Sequence, residues 1–454
     1  MSVAFRSWLS VVRDATRTQL WLFPTLAVLL AVAAGVVLPL VDAAIDGAFP
    51  ASGLLFAGGA DAARTVLSSV SGSLITVTSL TFSLTVVTLQ LASSQFSPRL
   101  LRTFTRDRFV HLTLALFLAT FTYALTVLRS VRNETSGSAK FVPRLSVTVA
   151  FLLAVASVLG LVVFLAHLAR QIRVETMLRT VHDDASSTVG LLLDERDPDT
   201  PVHPPRPAPP PGAVPLLTDG SGFLVRVDES ELLDAAVEAG AVVLLDRHPG
   251  SFVVAGTPIG LAWPLDPLRP FDGDARDRLV GCAGAAVTTG FERTAAQDVG
   301  FGLRQLTDVA DKALSPGIND PTTAVHALGH SAALLCELAG RELGPRALHD
   351  DDGRARVVLA RPTLADLVDL AIAQPRRYGA TDPAVLTRIG VLLRELAWCV
   401  PPGQHAVVVD QLARLRATAA AQDFDDHERL QLAELGDGVE HALRGRWTPE
   451  PNYG

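Results

Sequence analysis

Hydroxyl-bearing side chains recur along a stretch from Thr65 to Pro98 that contains no Asp, Glu, Lys, Arg or His. About 20 mostly apolar residues suffice to cross a bilayer as a helix, so we predict a membrane-spanning helix over residues 66–96. A helix that faced only lipid would gain nothing from serine and threonine. Projected at 100° per residue, small and polar residues fall along one side of this helix, interrupted by two valines. The members of this polar stripe are Ser69, Gly72, Thr76, Ser79, Ser83, Val86, Val87, Gln90 and Ser94.

The polar stripe could line a water-filled path through the membrane. Val86 and Val87 would then form a hydrophobic constriction that gates by dewetting. One helix cannot enclose a path, so this interpretation predicts several copies of the chain around an axis, in a cyclic homo-oligomer. Arginines follow the helix and would form rings at the cytoplasmic mouth, where they would concentrate anions. These mouth residues are Arg99, Arg102 and Arg106.

A second, shorter seam of Thr78, Thr81, Thr85 and Thr88 lies on the opposite side of the same helix. Either seam could pack against neighbouring helices, where small hydroxyl residues allow close approach and cross-helix hydrogen bonds. The sequence leaves open which seam faces water, and whether the polar stripe serves for packing alone. A transporter path has less support, because the spans show no duplication and no ionisable residue at membrane depth.

The densest polar cluster outside the spans lies between Glu292 and Asp320 and is a candidate site for a ligand, an ion or a partner. Its members are Gln297, Asp298, Arg304, Asp308, Asp311, Asn319 and Asp320. Capping and turn chemistry explains part of the same segment, because Asp320 is a good helix N-cap and Pro321 suits the first helical position. Asp308 and Asp311 would bind a hard cation only with further oxygen ligands, and spacing supplies none.

No catalytic signature is found: the chain lacks GxSxG, HExxH, GxxxxGK[ST] and a dinucleotide-binding fingerprint. His326 and His330 are four residues apart, but no third metal ligand is placed by the pattern. Enzymatic activity therefore has little direct support, although an unrecognised enzyme with a site in the soluble part stays open, and no cofactor or metal is predicted. A net charge of −8 does not favour nucleic-acid binding. The three cysteines, far apart in the chain, are interpreted as small buried hydrophobes in a reducing compartment.

Four spans organise the first part of the chain, at about residues 18–41, 66–96, 109–128 and 145–168. In the first span, Ala27, Ala31 and Gly35 form a small-xxx-small ridge that predicts packing against another helix. The positive-inside rule places both termini in the cytoplasm. One loop opposes this topology, because the segment between the third and fourth spans is also basic.

The remainder of the chain resembles a soluble protein. We expect the fourth span to continue as a cytoplasmic helix to about residue 193, completing a membrane domain of 1–193. A Pro-rich linker over 194–213 favours an extended spacer. A small β-rich, barrel-sandwich-like module follows over 214–265, without a lysine that would make it a carrier. A helical bundle over 266–447 and a short tail over 448–454 complete a mainly α fold with a cytoplasmic α+β region.

Two segments of the chain resemble those of a known protein family. SSVSGSLITVTSLTFSLTVVTLQLASSQFSPRLLRTFTRD and QDVGFGLRQLTDVADKALSPGINDPTTA resemble the hallmark segments of a bacterial membrane-protein family, domain of unknown function 2254, and the resemblance covers about residues 10–445. It implies a bacterial inner-membrane protein with an N-terminal helical membrane part and a soluble C-terminal part. It implies no functional residues.

We therefore predict a multi-pass protein of the bacterial inner membrane that forms an oligomeric, channel-like conduit lined by the second span and regulated by its cytoplasmic domain. The alternative is a membrane-anchored scaffold or sensor that binds a ligand or partner through the cytoplasmic helical domain, with the second span used for packing only. The expected partners are the lipid bilayer, further copies of the chain and an unidentified small ion or ligand.

Overall fold

The computed structural model describes residues 22–45, 55–95, 107–132, 141–171, 173–197, 207–269, 271–447 and 449. The chain divides into two compact units, Met1–Arg173 and Val174–Gly454, which we call the N-terminal and C-terminal units. The mouth residues Arg99, Arg102 and Arg106, and the middle of the predicted Pro-rich linker, lie outside the described residues.

Four helices in the described part of the N-terminal unit are long and apolar enough to cross a membrane, as predicted. They are α1 (Leu22–Ile45), α2 (Ala60–Gln95), α3 (Arg108–Leu128) and α4 (Arg144–Gln171). The second begins six residues earlier than the sequence predicts, since its first turns contain Asp61 and Arg64. The Arg64 guanidinium donates to the Val131 carbonyl oxygen at 3.0 Å, so a charged residue is accommodated within the helix.

α3 is the central helix of this unit: it packs against α1, α2 and α4. Half of its apolar window is buried, against 17% in each of the other three. The predicted ridge on α1 is confirmed as a packing surface. Ala31 is buried, and a Cβ atom on Gly35 would lie only 2.8 Å from the Thr126 Cβ of α3. Small residues on α1 thus allow two helices to approach closely.

Two carboxylates, Asp42 and Asp107, form hydrogen bonds at the ends of helices. Asp42, in the last turns of α1, accepts hydrogen bonds from the backbone N–H groups of Leu145 and Ser146, both at 2.9 Å. At the other end of the unit, Asp107 caps α3 by accepting from the Phe109 N–H. The second oxygen of Asp107 lies 2.6 Å from the Nε2 atom of His167 on α4. Each carboxylate therefore joins the end of one helix to a neighbouring helix.

The helix after α4 belongs to the C-terminal unit, which corrects the expectation that the fourth span continues to residue 193. α4 ends at Gln171, and α5 (Val174–Leu192) is a separate helix. Its buried stripe, which includes Leu178, Val181 and Val189, packs against two helices of the C-terminal unit, α8 (Phe301–Ala313) and α9 (Pro321–Ala339). The start of the predicted linker is bonded to the same unit, because the Arg196 N–H donates to the Gly340 carbonyl.

The described residues of this unit form two sheets. The strands are β1 (Val214–Leu217), β2 (Gly222–Val227), β3 (Ala241–Leu245), β4 (Phe252–Val253), β5 (Pro258–Pro264), β6 (Val287–Gly290), β7 (Arg346–His349) and β8 (Ala355–Leu359). The first sheet has the strand order β1-β5-β3-β8-β7 and the second β4-β2-β6. Pairing is antiparallel except between β3 and β8, where Leu244 lies opposite Val358 in parallel.

The expectation of a wholly helical stretch after residue 266 is wrong, because β6, β7 and β8 lie within it. β8 supplies Val357 and Leu359, which are buried together with Val243 and Leu245 of β3. A strand that completes an apolar core formed by distant residues carries no local signal of its partner. The β structure therefore extends beyond 214–265 and includes strands from the later part of the chain.

The remaining helices cover the sheets and build a second core. They are α6 (Glu229–Glu238), α7 (Gly273–Ala285), α10 (Leu364–Tyr378), α11 (Pro383–Cys399), α12 (His405–Ala420) and α13 (Asp426–Leu443). Asp320 caps α9, as predicted, while Asp382 caps α11 and Thr363 forms a capping box at α10. The expectation of buried cysteines is wrong, because Cys399 at the end of α11 is exposed and the other two are half-buried.

Candidate functional site

The structure separates the two polar seams of α2. The threonine seam faces the helices of its own unit: Thr81 and Thr88 are buried, and Thr78 and Thr85 are half-buried. Three of these hydroxyls donate to the carbonyl four residues earlier, as Thr85 does to Thr81 at 2.8 Å. This back-bonding satisfies a hydroxyl in an apolar environment. The threonine seam is therefore a packing surface within one chain.

The polar stripe faces outward. All of its described residues are exposed in the single chain, including the glycine position. They include Ser69, Gly72, Thr76, Ser79, Ser83 and Gln90. Val86 and Val87 are exposed between them. Ser94 lies in α2, but its side chain is outside what the structure describes. The Thr76 hydroxyl donates to the Gly72 carbonyl at 3.3 Å, which leaves its oxygen lone pairs available to an outside donor.

The outer faces of α1 and α4 have a different composition. Between Phe151 and Ala166, every exposed residue of α4 is an alanine, valine, leucine or phenylalanine. On α1, Thr25 is the one hydroxyl residue among the exposed residues from Phe23 to Ala44. Apolar faces of this kind suit acyl chains. All three helices have an exposed face, but only the exposed face of α2 carries many hydroxyl groups.

α2 is also longer than a bilayer requires. Its 36 residues extend about 54 Å at 1.5 Å per residue, against a hydrocarbon thickness of about 30 Å. Leu84 packs beside Val110, in the first turn of α3, and beside Phe164 of α4. The 11 residues of α2 after Leu84 therefore continue about 16 Å beyond that level. This extension carries Gln90 and Ser94.

The polar cluster of the C-terminal unit is divided among separate roles. The side chain of Gln297 holds the end of β2, accepting from the Val227 N–H at 2.8 Å and donating to its carbonyl at 3.1 Å. Asp298 accepts two hydrogen bonds from Arg293, at 2.9 and 2.6 Å, and one from the Gly300 N–H. Burial raises the pKa of Asp298, and the Arg293 charge opposes that rise.

Arg304, Asp308 and Asp311 form a second group on one face of α8. Arg304 pairs with Asp308 at 3.1 Å, with little exposure of either side chain. Burial, with a further contribution from the Asp308 carboxylate, raises the pKa of Asp311 to about 7. One oxygen of Asp311 is buried without a hydrogen-bond partner among the described residues. Asp311 is thus a carboxyl group that exchanges its proton near neutral pH.

Asn319 and Asp320 have turn and capping roles. Asn319 has a φ of 50°, in the left-handed region that asparagine tolerates. Asp320 accepts from the Thr323 N–H at 3.1 Å and from its hydroxyl at 2.5 Å. These hydrogen bonds lower the pKa of Asp320. The structure therefore does not gather the predicted cluster into one site.

The described residues contain no group of three His, Cys, Asp or Glu side chains that could hold a metal ion. His330 lies instead beside His182 of α5, with ring centroids 5.4 Å apart. Burial and the neighbouring His182 lower the pKa of His330. The pair belongs to the contact between α5 and α9.

A pocket that sequence reasoning missed lies in the C-terminal unit, with a volume of about 150 Å³. Its walls come from the end of α5, the start of α6, the β3–β4 turn, the segment before α8, and both ends of the β7–β8 hairpin. The polar residues that line it are Glu229, Arg247, His248, Gln297, Arg346 and Arg361. Gln297 is the one predicted site residue among them. No spacing pattern relates the others, because they meet only after the two sheets have formed.

The comparisons with known proteins agree with this architecture. The family described as predicted membrane protein (DUF2254) matches residues 17–395. An uncharacterized protein of Mycobacterium bovis and one of Mycobacterium tuberculosis are each 37% identical over 422 residues, which cover 92% of this chain and 80% of theirs. No solved structure matches. The four apolar helices and the extent of these matches lead to one conclusion: the chain belongs to the DUF2254 family of predicted membrane proteins.

Proposed function

We propose that this membrane protein forms an oligomeric, channel-like conduit in which the polar stripe of α2 lines the path. The observation that carries the proposal is the outward position of Ser79 and Ser83 on α2, whereas α1 and α4 of the same unit expose almost only apolar side chains. A polar group exposed to acyl chains without a partner costs free energy. Water or a second copy of the chain would remove that cost.

Several copies of α2 around an axis would place equivalent hydroxyl groups in rings. Val86 and Val87 would form the apolar ring, which closes the path by dewetting. The threonine seam supports this arrangement, because it already occupies the opposite face of α2 in contacts within the chain. The stripe is therefore available for contacts outside it.

The proposal places the protein in the inner membrane with both termini in the cytoplasm, on the basis of the arginine distribution. Arg99, Arg102 and Arg106 would then lie at the cytoplasmic mouth. Regulation by the C-terminal unit is part of the same proposal. Its support is the connection between the units: only two residues separate the end of α4 at Gln171 from the start of α5 at Val174.

Ion flux from liposomes containing the purified protein tests the proposal. We expect flux from the wild-type protein and its loss in a variant carrying Ser79→Leu, Ser83→Leu and Gln90→Leu. The matched control is Thr25→Leu, which replaces an exposed hydroxyl on α1 and should leave flux unchanged. Val86→Ser with Val87→Ser should raise flux, since a hydrated constriction no longer dewets.

Native mass spectrometry of each variant establishes whether the oligomer is intact. Unchanged flux in an intact oligomer of the triple leucine variant would refute the assignment of the stripe. An intact wild-type oligomer without flux would instead favour a membrane-anchored scaffold or sensor, in which the stripe serves only to pack one copy against another.

A further inference from the structure

The pocket of the C-terminal unit has a strongly uneven charge. Its lining contains three guanidinium groups, Arg247, Arg346 and Arg361, and one carboxylate, Glu229. Glu229 is shared: one oxygen lies 3.0 Å from an Arg346 nitrogen, and the other lies 3.5 Å from an Arg361 nitrogen. The lining therefore has a formal excess of two positive charges.

The pocket also has more hydrogen-bond donors than acceptors. Two guanidinium groups bring about ten N–H donors, whereas one carboxylate offers about four lone-pair positions. Glu229 alone cannot satisfy Arg346 and Arg361. The Arg361 side chain is 18% exposed, so bulk water reaches it only in part. Burial and the nearby Arg346 charge lower the pKa of Arg361.

Other acidic groups nearby do not fill this deficit. Asp246 lies 3.7 Å from Arg247, but both side chains are about half exposed, and exposed ion pairs of this kind contribute little stabilisation. Asp194 acts on Arg361 electrostatically without lining the pocket. Asp298, which does not line the pocket, already accepts two hydrogen bonds from Arg293.

The remaining lining is fixed or apolar. Both polar atoms of Gln297 are occupied by the backbone of Val227. The Nδ1 atom of His248 lies 2.7 Å from the Pro249 carbonyl oxygen. Since a carbonyl only accepts, this nitrogen carries the proton and donates. Leu192, Val299 and Pro362 contribute apolar surface to the lining. The pocket thus combines cationic and apolar lining residues.

We propose that this pocket binds a small phosphate monoester. Its dianionic phosphate would pair with Arg346 and Arg361, whose planar N–H forks suit phosphate oxygens. Its short organic body would lie against Leu192 and Val299. The volume of about 150 Å³ is comparable to that of an engineered cavity that binds benzene, so the pocket suits a phosphate ester with a short organic body. The proposal does not depend on conduit activity.

Isothermal titration of the full-length protein in detergent with glycerol 3-phosphate tests the proposal. We expect saturable binding that glycerol and sodium chloride at equal ionic strength do not reproduce. Arg346→Gln should weaken binding at least tenfold. The matched control is Arg354→Gln, which removes an exposed arginine of the same hairpin that pairs with Asp352 outside the pocket. That variant should bind as the wild type does.

Arg346→Gln is chosen over Arg361→Gln because the Arg346 side chain is 42% exposed, so the substitution leaves no deeply buried cavity. An unchanged melting temperature of this variant without ligand would show that it is folded. Absence of binding at millimolar glycerol 3-phosphate, or equal binding by folded Arg346→Gln, would overturn the proposal. Equal affinity for inorganic sulfate would also overturn it, since a site for any anion does not select a phosphate ester.

Discussion

The Asp42 carboxylate lies 2.6 Å from the Ser146 hydroxyl, and the same oxygen accepts the Ser146 backbone N–H at 2.9 Å. Together with the hydrogen bond from the Leu145 N–H, Asp42 of α1 caps the start of α4. Carboxylates at helix N-termini satisfy orphan N–H groups and complement the helix dipole. One side chain therefore joins the first and last helices of the N-terminal unit.

Loss of this cap should destabilise the protein. We expect Asp42→Ala to lower the free energy of unfolding by about 2 kcal/mol, because N-cap replacements cost up to about 2 kcal/mol and backbone donors would be left unsatisfied. Thermal unfolding in detergent, followed by circular dichroism, measures the change. Ser146→Ala keeps both backbone hydrogen bonds and should cost less. Equal melting temperatures for Asp42→Ala and the wild type would contradict the capping role.

Asp311 should make stability depend on pH. Its pKa of about 7 lies above the ordinary value of 3.8, so the folded state holds the proton more tightly than the unfolded state. Stability from this group is complete below about pH 4 and is lost as pH rises through 7. We expect Asp311→Asn to raise the free energy of unfolding at pH 8 by roughly 1–3 kcal/mol, with the gain fading toward pH 4.

Chemical denaturation at pH 5 and pH 8 checks this difference. The control is Asp308→Asn, which removes the partner of the largely buried Arg304 and should destabilise by roughly 1–3 kcal/mol. An equal effect of Asp311→Asn at both pH values would show that ionisation of the buried Asp311 carries no penalty. A stabilising effect of Asp308→Asn would instead contradict a net stabilising pair between Asp308 and Arg304.

The contact between α5 and α8 depends on a glycine. A Cβ atom on Gly302 would lie 2.2 Å from the Ala185 Cβ and 3.3 Å from its Cα. We expect Gly302→Ala to destabilise by roughly 1–3 kcal/mol, since overpacking forces the helices apart. Gly281→Ala in α7 is the matched control, because nothing lies within 4 Å of its added Cβ. It should stabilise by roughly 0.5–1 kcal/mol through helix propensity. The same sign for both substitutions would argue against a close approach at Gly302.

Cys399 should react with iodoacetamide before Cys336. Cys399 is exposed, whereas Cys336 is half-buried. Burial, with a contribution from the neighbouring Cys399 thiol, raises the pKa of Cys336. The thiolate is the reactive form, so a raised pKa slows alkylation. Peptide mass spectrometry after a short reaction at pH 7.5 should find label mainly at Cys399. Comparable labelling of both cysteines in the folded protein would contradict the lower accessibility and the raised pKa of Cys336.

The proposed topology can be tested with fusions. Green fluorescent protein joined after residue 454 should fluoresce, because the proposal places the C-terminus in the cytoplasm. Alkaline phosphatase inserted between residues 133 and 140 should be active, because that loop would lie outside. The reverse pattern would invert the topology and remove the arginines from the cytoplasmic mouth.

The helices of the N-terminal unit were predictable from the sequence because each is a long apolar segment bounded by charge or turn residues. The two seams of α2 were also visible as a helical period. Their orientation was not, since Thr81 and Ser79 are both compatible with packing until α3 and α4 are placed beside them. The cap from Asp42 was missed for the same reason: its partners begin 103 residues later.

The β structure and the pocket were beyond reach of local patterns. Val357 lies in a short apolar segment between predicted helices, and only the pairing of this segment with Val243 and its neighbours makes it a strand. Arg346 and Arg361 flank that run, and their approach to Glu229 follows from the sheet. In contrast, the caps at Asp320 and Thr363 were predictable, since capping depends on residues within one turn.

The parallel pairing of β3 with β8 has a practical consequence for dissecting this protein. A fragment that stops after Pro264 would leave one side of β3 without its neighbour and present open backbone donors and acceptors, which invite aggregation. A fragment that starts at residue 214 would strip α5 from the faces of α8 and α9. Recombinant study of the C-terminal unit should therefore begin at Val174 and keep the chain intact through α13.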